Sequence, residues 1–115
     1  MPKGVELNKQ NNVNVVSVLD MRLDEYAAVP LKTALDDLIN AGQVYIVVDL
    51  AAVLGLSMEA LQALTLALQS ARRKQGEVRL ASLNKQPADL IRASFPAPVF
   101  TTFGSVEEAV KSFQG

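Results

Sequence analysis

The chain has 115 residues, half of them hydrophobic and a fifth charged, which suits one packed core and argues against disorder. Eleven Lys and Arg against twelve Asp and Glu leave a net charge of −1, without the basic excess that a nucleic-acid partner requires. The absence of Cys and His removes disulfides, thiolate metal sites, the commonest general base and any Ser–His or Cys–His pair, so most enzyme classes are disfavoured.

The opening Met1-Pro2-Lys3-Gly4-Val5 lacks the apolar run of a signal peptide. The best candidate for membrane insertion, residues 44–56, is interrupted by Asp49 and too short for a spanning helix. A soluble, cytoplasmic protein is the expectation, with no repeat and no linker between domains.

Residues 5–7 predict a weak first strand, residues 9–12 a turn rich in Asn, and residues 13–19 a second strand. So short a turn implies an antiparallel hairpin. Pro30 suits a first helical turn, and Leu31, Leu35, Leu38 and Ile39 share one face of the helix it opens, with Gly42 as C-terminal cap. Residues 44–50 form a nearly continuous apolar run, mostly β-branched, as in a central strand covered on both faces. Residues 57–74 predict the longest helix, with Leu61, Leu64, Leu68 and Ala71 as its core stripe and Gly76 as its end. The cations Arg72, Arg73 and Lys74 suit the negative end of that helix dipole. A fourth strand follows at 78–82, a short helix opened by Pro87, and an edge strand at 99–102. Ser105-Val106-Glu107-Glu108 is a capping-box sequence that opens a last helix with Val106, Ala109, Val110 and Phe113 as apolar positions.

The alternation implies α/β layers. Leu23-Asp24-Glu25-Tyr26-Ala27-Ala28-Val29-Pro30, Val47-Val48-Asp49-Leu50-Ala51-Ala52-Val53 and Gly104-Ser105-Val106-Glu107-Glu108-Ala109, in this order and spacing, resemble the STAS domain family of sulfate transporters and anti-sigma-factor antagonists. The resemblance covers nearly the whole chain. It implies one α/β domain over residues 1–115, a mixed sheet of four or five strands with helices largely on one face. It also implies protein-protein regulation without catalysis, cofactor or metal.

The family's regulatory signature, Asp-Ser-Ser/Thr-Gly, falls by spacing on Ser57-Met58-Glu59-Ala60, and all four positions depart from it. The hydroxyl that takes phosphate from a partner kinase in other members is replaced by Met58. A helix start suits a phosphate because its backbone N–H groups are unpaired and its dipole end is positive. Ser57 has two readings there, an N-cap or a phosphoacceptor shifted by one residue. Glu59 is a carboxylate favoured by the dipole, or a standing negative charge where phosphate would otherwise appear. Asp24 either orders the loop before the first helix or borders the switch region; with Glu59 it also reads as a catalytic carboxylate pair or a metal site, for which no third ligand or base is evident.

Leu54, Leu56 and Met58 make an apolar cluster around this loop, with Ala63 and Leu66 farther along the helix. The expected partner surface is Asp24, Leu54, Leu56, Ser57, Met58, Glu59 and Leu61. The resemblance implies an anti-sigma factor of the serine-kinase type as partner. The alternative is a constitutive STAS module of a signalling scaffold or transporter accessory complex. A small apolar or anionic ligand at the helix start is a third reading, although Gly55 is isolated and no glycine-rich phosphate loop surrounds it.

Overall fold

The structure, a computed structural model, describes residues 4–114. Met1 to Lys3, part of the opening stretch read above for a signal peptide, and Gly115 lie outside the described residues. The first two strands, β1 (Val5–Gln10) and β2 (Val13–Val18), pair antiparallel from Val5 opposite Val18 to Gln10 opposite Val13. Only Asn11 and Asn12 lie between them, at φ 52° and 69°. This is the two-residue turn whose twist matches paired strands, and Asn tolerates its left-handed backbone. The first strand therefore runs three residues beyond the expected end.

A two-residue strand, β3 (Arg22–Leu23), precedes helix α1 (Ala28–Asn40). Gly42, at φ +83°, ends α1 as expected: its N–H bonds the Ile39 carbonyl, and the Gln43 N–H bonds that of Leu38. Next come β4 (Tyr45–Asp49), a second two-residue strand β5 (Gly55–Leu56), and helix α2 (Met58–Arg73). Strand β6 (Glu77–Ala81), helix α3 (Lys85–Ser94), strand β7 (Thr102–Phe103) and helix α4 (Val106–Lys111) complete the chain. The expected strand at 99–102 is displaced to Thr102–Phe103, because Val99 and Phe100 pack into the core rather than pairing in the ladder.

The main sheet has the order β1-β2-β4-β6-β7, mixed because β1 alone runs antiparallel to its neighbour. Alternation along the strands divides the core. Val16, Val18, Ile46, Val48, Val78 and Leu80 meet the buried stripes of α1, α2 and α3 on one face. Val13, Val15, Val47 and Ala81 meet Ala109 and Val110 of α4 on the other. Three of the four helices thus share a face, and the central strand is covered on both sides, as its apolar run required.

Gly76 corrects the sequence reading in mechanism. Gln75, at φ +64°, takes the left-handed position after α2, and the Gly76 N–H bonds the Ala71 carbonyl at 2.8 Å. A Cβ on Gly76 would stand 2.2 Å from the Val44 carbonyl oxygen, so glycine is required there by close approach of two chain segments.

Candidate functional site

Strands β2, β4 and β6 run parallel, so the loops that leave them gather at one end of the sheet. The loop after β2 and the loop after β4 join there in a two-stranded parallel ladder, Arg22 with Gly55 and Leu23 with Leu56. The N–H groups of Leu54 and Gly55 donate to the Met21 carbonyl at 2.8 and 3.1 Å, and the Ser57 N–H donates to the Leu23 carbonyl at 3.0 Å. From the other side, the Gln86 side chain accepts from the Leu56 N–H at 2.7 Å and donates to the Leu56 carbonyl at 3.1 Å. The Asn84 amide donates to the carbonyls of Ala51 and Val53 at 2.9 and 2.7 Å. Residues 51–57 are therefore bonded to the body of the domain along both margins, and this loop is preorganised.

The ladder carries straight into α2. The Ser57 hydroxyl oxygen accepts from the Ala60 N–H at 3.1 Å, so Ser57 is the N-cap of the helix. Glu59 is exposed in the first turn, where the helix dipole favours a carboxylate. The Asp24 carboxylate accepts from the N–H groups of Tyr26 and Ala27 at 3.1 and 2.9 Å and orders the turn into α1. Because Leu23 pairs with Leu56, Asp24 and Ser57 leave the ladder as neighbouring positions.

Two of the expected surface residues are corrected. Leu56 is 4% exposed and Leu61 2%, both in the core beneath the sheet's helical face. The ladder turns Leu56 inward, and Leu61 lies on the same buried stripe of α2 as Leu64 and Leu68. Leu54 and Met58 are instead 57% and 55% exposed. Met21, Tyr26, Val29 and Leu66 add exposed apolar side chains on the neighbouring loop and on α1 and α2. Sequence reading does not mark Met21, Tyr26 or Val29 as contact residues, since Met21 and Tyr26 are scattered apolar residues in a loop and Val29 lies off the apolar stripe of α1.

Glu59 lines two shallow grooves. One, of about 320 Å³, opens toward α3 and includes Met58, Thr65, Ser94 and Phe95. The other, of about 270 Å³, opens toward α1 and includes Glu25, Val29, Lys32 and Leu66. The Ser94 hydroxyl lies 3.7 Å from the Met58 sulfur and also donates to the Leu90 carbonyl. Among the described residues, no group of three or more His, Cys, Asp or Glu side chains could hold a metal ion, and no helix is long and apolar enough to cross a membrane. The site thus combines a hydrogen-bonded loop with exposed apolar side chains edged by carboxylates.

The STAS domain profile matches residues 5–109. No curated protein matches the chain. The solved structures that share the fold include the following three. A candidate anti-sigma factor antagonist from Thermotoga maritima is 17% identical with a TM-score of 0.88, over 96% of this chain and 95% of that one. An anti-sigma-factor antagonist (STAS) domain protein from Planctomyces limnophilus is 16% identical with a TM-score of 0.87, over 96% and 98%. An anti-sigma factor antagonist from Mycobacterium paratuberculosis is 19% identical with a TM-score of 0.83, over 96% and 93%.

Proposed function

The chain belongs to the STAS domain family, and from that premise we propose that it is a regulatory protein that acts by binding another protein rather than by catalysis. Its contact surface is Leu54, Met58 and Glu59, with Asp24 and Ser57 at the border and Met21 beside Leu54. The observation that carries this reading is the exposure of Leu54 and Met58 on a loop bonded along both margins. Exposed apolar area rimmed by polar groups is the usual mark of a protein interface, and a preorganised loop loses little conformational entropy on docking. The flexible thioether of Met58 suits such a contact.

The partner in this reading is an anti-sigma factor of the serine-kinase type. Binding is not switched off by that kinase, because the position that takes phosphate in the family is Met58, which has no hydroxyl. Ser57 serves as N-cap, and Glu59 supplies a fixed negative charge at the same helix end, smaller than that of a phosphate.

The test is to incubate the purified chain with a kinase-type anti-sigma factor from its own genome, active on its own substrate, in the presence of ATP. A stable complex and an unmodified chain by mass spectrometry are expected. Stoichiometric phosphate on Ser57 would contradict the reading. Co-purification with a scaffold or transporter ATPase, indifferent to nucleotide, would assign the chain instead to a constitutive module.

A further inference from the structure

The main sheet has two unequal edges. At one end β7 is two residues long; at the other β1 is six. The two-residue turn at Asn11 and Asn12 fixes which backbone groups of β1 are used. Gln10 and Val13 flank the turn as a hydrogen-bonded pair, and the pattern repeats at every second residue. It continues past the strand, where the Leu19 N–H donates to the Gly4 carbonyl at 2.8 Å. Glu6, Asn8 and Gln10 therefore bond β2, while the N–H and C=O groups of Val5, Leu7 and Lys9 point outward. Leu7, on the helical face opposite Val16, is 56% exposed.

We propose that a second copy of this chain pairs antiparallel with β1 about a two-fold axis at Leu7, making one continuous sheet across the dimer. Two features select this occupant. The outward groups match themselves: with Leu7 opposite Leu7 of the second copy, Val5 meets Lys9, and every pair joined is one whose N–H and C=O point outward. This gives about six interchain hydrogen bonds. The two exposed Leu7 side chains cover each other on the same face.

The other edge explains why pairing stops at two. The two residues of β7 offer too little backbone for head-to-tail addition, so β1 with β1 is the arrangement that closes. A single strand pair is a small interface, and a weak dimer is expected.

The chain contains no Cys, so single cysteines report the register directly. Paired Cα atoms at a hydrogen-bonded position lie about 5.5 Å apart, within disulfide reach. Residues 9 and 9 of the two copies are separated by about 14 Å at the strand rise, outside it. Sedimentation of the unmodified chain from micromolar to submillimolar concentration should show reversible dimerisation. Under mild oxidation, Leu7→Cys should cross-link about tenfold faster than Lys9→Cys or Asn8→Cys. Leu7→Pro should abolish dimerisation with little change in melting temperature, because the N–H it removes points outward. Leu7→Lys, which leaves that N–H in place, should do the same through charge repulsion. A chain that stays monomeric throughout the range would overturn the proposal. So would equal cross-linking at the three positions, fastest cross-linking at residue 8 or 9, or dimers that survive both Leu7 variants.

Discussion

The Ser57 hydroxyl is already committed to the backbone: it accepts from the Ala60 N–H and satisfies a donor that the first turn of α2 would otherwise leave unpaired. Ser57→Ala should lower stability by about 1 kcal/mol, read by chemical denaturation, whereas Ser57→Asp should retain most of it. An unchanged midpoint in Ser57→Ala would mean that the cap bond carries no stability. Gly76 is a sharper case. Its absent side chain lets the end of α2 lie against the start of β4, with the Glu77 N–H donating to the Val44 carbonyl at 2.9 Å. Gly76→Ala should cost about 2 kcal/mol or more, since the obstructing atom belongs to backbone and cannot rotate away. Gln75→Gly, one residue earlier, should be tolerated, because φ there is already positive.

At the scale of elements, the loop between β4 and α2 owes its order to side chains distant in sequence. Gln86 stands 30 residues from Leu56 and imitates a neighbouring strand by both donating and accepting. Gln86→Ala should leave the global melting transition nearly in place while speeding hydrogen exchange at the Leu56 amide by an order of magnitude or more. Unchanged exchange at that amide would show the β3–β5 ladder to be sufficient alone. The same helix carries Asp89, which accepts from Lys85 and from Arg92 at 3.0 and 3.1 Å. The Lys85 hydrogen bond first, and then the charges of both cations, hold the Asp89 carboxyl below its ordinary range. A depressed folded pKa contributes stability above the unfolded value, and that contribution is lost as pH falls through the folded one. Asp89→Asn should therefore flatten the acid limb of stability below about pH 4 and leave its slope near neutrality unchanged.

These elements also separate what the sequence could express from what it could not. Asn11 and Asn12, Gly42 and Ser57 announced a turn, a helix end and a helix start because each residue type answers a local backbone demand. The β3–β5 ladder was silent: two-residue strands have no periodicity, and their pairing is made by backbone groups common to every residue. The Gln86 clamp was silent for a related reason, since a polar side chain bonding a remote backbone leaves no local pattern. Nearness to the helix start suggests a surface place for Leu56 and Leu61, but the inward turn of the ladder buries Leu56, and for Leu61 the core stripe of α2, itself legible in the sequence, prevails.

Across the whole molecule, the one-sided layering assigns the work. Helices α1 to α3 fill one face and α4 closes the other, so the core is complete without Leu54 and Met58. Their exposure is thus no defect of packing, and the end of the sheet on which they stand is free to meet a partner. The β1 edge is a second and separate surface, whose partner is another copy of the chain. Quantitative affinity capture from native extract, with the unchanged chain and Met58→Asp side by side and each with and without ATP, tests the docking face most directly. The expected result is one protein held by the unchanged chain irrespective of ATP and lost from Met58→Asp, although both fold equally well. Identical capture by the two chains, or release of that protein by ATP together with phosphate on Ser57, would contradict it.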